Sequence, residues 1–371
     1  RDRFDTMNDD YDNSSRLLAK NDETIYLDFE TNERIDIDSL TVEINGSPLT
    51  STDITNTNSD GKRWQASFIP TGLSSNVDSV SFQIKSITDT AGNTEDTLTS
   101  FNVDDSQKTV RIDVEKPDIG NILIVSSNPN SGFAKAGDNL TLSFTTSEVV
   151  RNPLDYLNIQ GVGPIDLSTS DNGTNWIATA QVLDNAIGTP SLSLEVLDQA
   201  GNRGSPYTDN FSHITLDTSP PTLSGLSFVS SNQPDNSSIY AKAQDNLTLS
   251  FQFQEPIQTP FVSIAGDNQS LQLTPNSDNT SWIAVYTVQP GDNGSATFRI
   301  DYQDLAGNPG NPVDHQSHTS IPGMVYSITM DTKTPSLSQI HMRSDNSDPV
   351  FAKIGDNITL SFASDEPLTM V

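Results

Sequence analysis

Cysteine is absent from the 371-residue chain. Its absence excludes disulfide bonds, thiolate metal sites and thiol nucleophiles. Long apolar runs are also absent, so no stretch is long enough to span a bilayer, and the segment that begins at Arg1 lacks the features of a signal peptide. We therefore expect any targeting or anchoring segment to lie outside this sequence or to have been removed.

Basic residues are scarce. Lys and Arg number 19 against 49 Asp and Glu, which gives a net charge of −30. A surface of this sign repels nucleic acid and anionic lipid, so the sequence predicts neither nucleic-acid partners nor direct membrane insertion. It attracts divalent cations. Two interpretations stay open: the acidity serves cation binding, or it keeps a long exposed protein soluble, for example in salty water.

Catalytic motifs are missing as well. The four histidines are His213, His315, His318 and His341, and none of them recurs at a fixed step. The chain has no Gly-x-Ser-x-Gly elbow, no phosphate-binding glycine loop and no His-Glu-x-x-His motif. Acidic pairs are so frequent in this composition that they discriminate nothing. The sequence therefore predicts that the protein is not an enzyme.

What the chain does contain is an internal repeat of about 110 residues. The segment AKAGDNLTLSF at 134–144 returns as AKAQDNLTLSF at 241–251 and as AKIGDNITLSF at 352–362, and a diverged copy begins at Ala19. Tryptophan, an Asp-x-Ala-Gly-Asn loop and a closing Asp followed by proline recur with the same step. This period is too long for a solenoid unit and matches one whole β-sandwich domain.

The repeats read as β-structure throughout. Leu140, Leu142 and Phe144 alternate with polar residues, which is the two-residue period of a half-buried strand, and no segment shows a helical period. Counting apolar runs gives roughly seven strands per repeat. The sequence thus predicts an all-β fold of tandem immunoglobulin-like (Ig-like) Greek-key β-sandwich domains in a linear array. The predicted boundaries are 1–113, 114–217 and 218–331 for three repeats, and 332–371 for the first strands of an incomplete fourth.

Two further details follow from the alternation. Trp64, Trp176 and Trp282 each begin an alternating strand, so we predict that they fill cores; stacking on carbohydrate is the alternative. The strand from Phe82 to Ile87 has one residue more than its counterparts. A β-bulge there would keep both ends of the strand facing the core.

The repeat motifs also carry a family resemblance. The order Ala-Lys-x-Gly-Asp-x-hydrophobic-Thr-hydrophobic-x-Phe, then Glu-Pro, then Asp-x-Ala-Gly-Asn, resembles the bacterial Ig-like repeats of large cell-surface adhesins, and it is similar in logic to cadherin repeats. The resemblance extends over essentially the whole chain. It implies a rod-like extracellular stalk, often stiffened by calcium at the domain junctions.

The residues themselves place acidic groups at the predicted junctions. A glutamate follows the second strand of each repeat, the Asp-x-Ala-Gly-Asn loop lies between the last two strands, and a closing Asp ends the preceding domain. In an Ig-like sandwich we expect these elements to meet at one end. Ca²⁺ takes about six to eight hard oxygen ligands in irregular geometry. Without a cation, crowded carboxylates would repel one another.

Ca²⁺ is therefore the predicted cofactor. The predicted ligands are Asp113, Glu148, Asp198 and Asn202, with Glu115 nearby, at the first junction; Asp217, Glu255, Asp304 and Asn308 at the second; and the equivalent residues Glu33, Asp89, Asn93, Asp331 and Glu366. An alternative stays open, because Asp and Asn in a tight loop often bond their own backbone and Gly supplies a positive φ. On that interpretation the loop is only a stable turn.

The leading functional interpretation is a non-enzymatic extracellular stalk or filament shaft of a cell-surface protein. Its predicted partners are the neighbouring repeats of the same chain, with other copies in a filament, or a surface glycan or protein, as further candidates. The alternative is an adhesion module that binds glycan or protein through its loops, and the best candidate loop runs from Pro309 to Tyr326. Sequons such as those at Asn139 and Asn246 predict exposed glycosylation sites if the host glycosylates.

Overall fold

The computed structural model describes residues 17–99, 110–232, 239–316 and 328–368. Strands dominate this part of the chain, which contains no α-helix and two 3-10 helices, Ile37–Ser39 and Pro153–Tyr156. Backbone contacts divide the chain into two compact units, Arg1–Thr218 and Ser219–Val371. The first unit holds the first two repeats, and the second holds the third repeat and the start of the fourth.

The first repeat forms strands β1 (Leu17–Ala19), β2 (Ile25–Glu30), β3 (Thr41–Ile44), β4 (Ser47–Pro48), β5 (Ile54–Asn56), β6 (Arg63–Phe68), β7 (Phe82–Thr88), β8 (Thr94–Thr99) and β9 (Val110–Ile112). The second forms β10 (Ile119–Ser126), β11 (Phe133–Ala134), β12 (Asn139–Thr146), β13 (Leu157–Ile159), β14 (Val162–Thr169), β15 (Asn175–Val182), β16 (Ile187–Gly188), β17 (Ser191–Leu194), β18 (Tyr207–Asn210) and β19 (Thr215–Asp217).

The third repeat forms β20 (Leu223–Ser230), β21 (Tyr240–Ala241), β22 (Asn246–Phe253), β23 (Phe261–Ile264), β24 (Gln272–Pro275), β25 (Ser281–Thr287), β26 (Gly294–Ala296), β27 (Phe298–Asp301), β28 (Val313–Asp314) and β29 (Ile328–Met330). The start of the fourth forms β30 (Leu337–Ser344) and β31 (Ile358–Ser364).

The strand order is that of an immunoglobulin sandwich. In the second repeat one sheet has the order β10-β12-β15-β14 and the other β13-β17-β18. Counted as main strands, these are the A-B-E-D and C-F-G sheets of a constant-type domain. The third repeat reproduces the order as β20-β22-β25-β24 and β23-β27-β28. The predicted all-β fold of tandem Ig-like sandwiches is thereby confirmed.

The tryptophans lie inside the sandwiches, as predicted. Trp64, Trp176 and Trp282 are only 4%, 6% and 4% exposed. Trp176 stands opposite Phe144 on the neighbouring strand, and the two rings stack with centroids 6.3 Å apart. Offset aromatic pairs of this kind add about 1 kcal/mol to the stabilisation from burial alone. Such low exposure argues against carbohydrate stacking on these rings.

The predicted bulge in β7 is confirmed. Thr41 pairs with Ser86 and Val42 pairs with Ile84, so the register of this strand pair shifts at Lys85, the extra residue of the bulge. The bulge leaves Ile84 only 1% exposed. An extra residue without a bulge would have turned one end of the strand to the solvent, because side chains alternate between the two faces.

The Ala-Lys motif belongs to the closing strand of its own repeat. β1 runs parallel to β9, with Ala19 opposite Ile112, and the pairs β11–β19 and β21–β29 repeat this arrangement. The alanines that precede the lysine in these three repeats, Ala19, Ala134 and Ala241, are buried. The ladder ends where the backbone N–H of Asp113 donates to the carbonyl of Ala19 at 2.8 Å. This pairing fixes the position of the closing Asp.

Candidate metal centre

The Asp-x-Ala-Gly-Asn loop folds on itself through its first and last residues. Asp198 accepts two hydrogen bonds from Asn202: Oδ1 from the backbone N–H at 2.8 Å, and Oδ2 from the side-chain amide at 2.7 Å. The N–H of Gly201 donates to the carbonyl of Asp198, and the φ of Gly201, 87°, favours glycine. The same bonds recur between Asp89 and Asn93 and between Asp304 and Asn308. The loop is thus a self-bonded turn in each of the first three repeats.

The glutamate loop is tied to this turn by a β-bridge. Val150, two residues after Glu148, bridges to Asp198, and the N–H of Arg151 donates to the carbonyl of Leu197 at 2.8 Å. Ile35 and Ile257 make the corresponding bridges in the other repeats. The fixed spacing between glutamate and bridge therefore carries each glutamate to the same end of its sandwich as the turn.

Within the first unit, the closing strand of the first repeat reaches the turn of the second. The side-chain amide of Asn202 donates to the carbonyl of Asp113 at 2.9 Å. The ammonium of Lys20 donates to the carbonyl of Gly201, also at 2.9 Å. These two bonds join residues that are 89 and 181 positions apart in the chain. They bring the first repeat's closing Asp to the acidic end of the second.

Three carboxylates meet at this place. Oxygens of Asp113, Glu148 and Asp198 all lie within 4.8 Å of one another. Asp113 is 5% exposed and Asp198 is 1% exposed. Burial, followed by the negative charges of Asp198 and Asp113, raises the pKa of Glu148 to about 7. Burial is also the main cause of the raised pKa of Asp198. Ionisation of these carboxylates within the cluster therefore costs free energy.

The donor set fits a calcium ion. Two oxygens on opposite sides of one Ca²⁺ lie about 5 Å apart, so three oxygens within 4.8 Å can all reach a single ion. Hard carboxylate oxygens suit calcium, and its remaining positions would fall to water or to the exposed Glu115. A cleft of about 830 Å³, lined by Glu115, Glu148 and Gln199 among others, gives water and ions access.

Asn202 differs from the sequence-based expectation in one respect. We predicted that its amide oxygen would face a cation, whereas the amide nitrogen carries the interactions in the structure: it donates to Asp198 and to the carbonyl of Asp113. In this arrangement Asn202 positions the two aspartates. Metal binding by the amide oxygen of Asn202 stays a prediction. The N–H of Glu115 donates to Oδ1 of Asp113 at 3.2 Å, which places this residue at the edge of the cluster.

The predicted residues of the second junction are divided between the two units. Asp217 ends β19 in the first unit, whereas Glu255, Asp304 and Asn308 belong to the second. Asp304 is 1% exposed and accepts both hydrogen bonds from Asn308, just as in the second repeat. The joint site proposed for these four residues stays a prediction.

The start of the fourth repeat reproduces part of the arrangement. Burial and the charges of Asp331 and Asp365 raise the pKa of Glu366, and the charge of Lys333 opposes them. Lys333 forms an ion pair with Asp365 at 2.7 Å. Glu366 and Asp331 thus interact, as the glutamate and closing Asp of the first junction do.

Sequence reasoning missed the cations of the first junction. Arg111 reaches Oδ2 of Asp113 through Nη2 at 3.3 Å. Arg151 donates from Nε to the carbonyl of Asp198 and from Nη2 to the carbonyl of Gln199. Neither arginine recurs in the other repeats, so the internal alignment gave no signal for them. Lys20 was visible as part of the Ala-Lys motif, but its partner was not.

The loop proposed for glycan or protein binding is described in part. Residues 309–316, with His315, belong to the described part of the chain, whereas 317–327, with His318, lie outside the described residues. The alternative binding function is therefore left as a prediction. No helix in the described ranges is long and apolar enough to cross a membrane.

No protein family matches the chain, and no curated protein does. Among solved structures, the chain is similar to consecutive domains of titin, over 85% of this chain and 96% of that one, at 11% identity and a TM-score of 0.32. It is similar to the ectodomain of mouse nectin-like molecule 4, over 85% and 97%, at 10% identity and a TM-score of 0.26.

A third similarity is to an endo-fucoidan hydrolase of glycoside hydrolase family 107, over 86% of this chain and 43% of that one, at 14% identity and a TM-score of 0.21. These scores are low, so the Ig-like assignment rests on strand order and register. The narrower resemblance to bacterial adhesin and cadherin repeats stays a prediction.

Proposed function

We propose that the chain is a non-enzymatic, extracellular stalk segment of a cell-surface protein, in which Ca²⁺ at the domain junction holds adjoining repeats rigid. Tandem Ig-like sandwiches are consistent with a structural or adhesion module. The calcium part is supported by one observation above all: oxygens of Asp113, Glu148 and Asp198, from two different repeats, lie within 4.8 Å of one another.

The physical basis is that a cation offsets the repulsion between the carboxylates. Three carboxylates in a largely buried cluster repel one another, and a divalent cation would neutralise that repulsion while it bonds to both repeats. A ligand that binds only the folded junction stabilises it by mass action. A bound Ca²⁺ would be held by Asp113 of the first repeat and by Glu148 and Asp198 of the second. Bending at the junction would then require breaking bonds to the metal.

The experiment uses the full chain in two measurements. Titration calorimetry after treatment with a chelator would count calcium-binding events. Because the chain has no cysteine, Thr55→Cys and Ser168→Cys, both at exposed positions in different repeats, would carry the only two spin labels. We expect the distribution of distances between the labels to narrow when calcium replaces the chelator.

Glu148→Gln should remove one binding event and abolish the narrowing. Glu33→Gln is the matched control, because Glu33 holds the equivalent position in the first repeat, and no cluster of three acidic groups forms around it within the described residues. If calcium gives no heat and label distances are equally broad with calcium and with chelator, the calcium mechanism is wrong. A non-enzymatic spacer would then be all that remains of the proposal.

A further inference from the structure

The first junction carries a positive charge where the other closing strands carry a hydroxyl group. Arg111 stands two residues before Asp113, whereas Thr215 and Thr329 stand at the same step before the other closing aspartates. The three closing strands have the same parallel register against the Ala-Lys strand of their own repeats. The three side chains therefore hold equivalent positions, and only the first adds a full charge.

The guanidinium group of Arg111 is placed among carboxylates. Its Nη2 lies 3.3 Å from Oδ2 of Asp113, and its Nε lies 3.8 Å from Oδ1 of Asp78. The side chain is 28% exposed, and Nε is shielded from solvent without a hydrogen bond to any described residue. Arg111 lines the same cleft as Glu148. Its charge opposes the three acidic neighbours that raise the pKa of Glu148.

We propose that Arg111 is an internal counter-cation, which holds the first junction together without metal and competes with Ca²⁺ for the carboxylate of Asp113. A divalent ion that enters the cluster must approach a fixed positive charge and displace it from Oδ2 of Asp113. Repulsion between charges is strong at this range in a partly buried site. The calcium part of the inference rests on the proposed function, whereas the counter-cation part does not.

Two consequences separate this role from simple packing. In a chelator, loss of the positive charge should weaken the folded junction, because three carboxylates then lack their internal partner. In calcium, the same loss should strengthen metal binding. A residue that acted only by filling space would lower stability under both conditions and would leave calcium affinity unchanged or reduced.

The test compares three variants of the full chain. Arg111→Thr installs the residue that the other closing strands use, so the strand should still form. Arg111→Lys keeps the charge. Arg63→Thr changes the net charge equally but removes an exposed ion pair with Glu30, whose side chains are 61% and 65% exposed. Each variant is titrated with calcium by calorimetry and melted in a chelator.

We expect Arg111→Thr to bind calcium at the first junction about tenfold more tightly, since one nearby charge is removed. Arg111→Lys and Arg63→Thr should stay close to the unmodified chain. In a chelator, Arg111→Thr should melt roughly 2–4 °C below Arg111→Lys, a difference that corresponds to about 1 kcal/mol in a unit of this size.

The outcomes keep the two ideas apart. If the unmodified chain binds calcium but Arg111→Thr does not bind it more tightly, the competition is refuted and the proposed function stands. If none of the variants binds calcium, the proposed function fails, and the melting temperatures alone decide the counter-cation role. Equal melting of Arg111→Thr and Arg111→Lys in a chelator would overturn that role.

Discussion

The turns at Asp89 and at Asp198 have the same internal geometry, but the pKa values of the two aspartates shift in opposite directions. In both, the backbone N–H of the asparagine reaches Oδ1 at 2.8 Å, and the glycine φ is 89° in one and 87° in the other. The hydrogen bonds from Asn93 lower the pKa of Asp89. Burial and the charge of Asp113 raise the pKa of Asp198 although Asn202 makes the same bonds.

This difference distinguishes the effect of the turn itself on the pKa of its aspartate from the effect of a neighbouring repeat. Hydrogen bonds within the turn favour the carboxylate, because they stabilise its charged form. At Asp198 these bonds are outweighed when the closing strand of the first repeat covers the turn and brings a second carboxylate. The acidic site is therefore a property of the junction, and the three predictions below test that conclusion from the largest expected effect to the smallest.

The largest effect should come from Gly204→Ala. A Cβ atom at Gly204 would lie 2.4 Å from the carbonyl oxygen of Pro117 in the linker and 3.1 Å from Val196. Because backbone must move to relieve this clash, we expect a loss of about 2–3 kcal/mol in the free energy of unfolding. Urea denaturation followed by tryptophan fluorescence would measure it.

The control for this variant lies in the first repeat. Glu95 occupies the position equivalent to Gly204, two residues after the turn asparagine, and it is exposed. Glu95→Ala should change stability by less than about 0.5 kcal/mol. Similar losses for both variants would contradict the idea that linker packing distinguishes the two turns.

A smaller effect should follow from Asn202→Ala. This substitution removes the amide donor from Oδ2 of Asp198 and from the carbonyl of Asp113. Buried acceptors without a donor cost about 1–3 kcal/mol, and we expect the lower half of that range. Asn93→Ala should cost less, because water can replace the amide at an exposed turn. Equal costs by urea denaturation would count against a junction-specific role for Asn202.

The smallest effect concerns pH. Glu148 binds its proton more tightly in the folded state, where its pKa is about 7, than in the unfolded state, where it is near the ordinary 4.5. In a chelator, stability should therefore fall as pH rises from about 4.5 to about 7 and lose no more from this group above that. Allowing for the partial exposure of Glu148, we expect about 1 kcal/mol.

Glu148→Gln should remove this decline, since glutamine does not ionise, and Glu33→Gln should leave it in place. Unfolding free energies measured at several pH values in a chelator would show the difference. A decline of unchanged size in Glu148→Gln would mean that another group, such as Asp198, carries the effect.

The fold could be read from the sequence because its signals are local. Alternation places every second side chain on the core face, so Trp176 and the bulge at Lys85 followed from counting residues along single strands. The glycine of the turn was predictable for the same reason, since only its own φ is involved. The spacing of Glu148 from its strand also placed it correctly at one end of the sandwich.

The sequence by itself determined the repeat, the strands and the end of each sandwich at which the acidic residues gather. Only the tertiary structure decided that Lys20 reaches Gly201, that Asn202 uses its amide nitrogen on Asp113, and that Arg111 accompanies the carboxylates. These contacts depend on how one sandwich packs on the next. That packing is set by side chains far apart in the chain, and no periodic pattern records it.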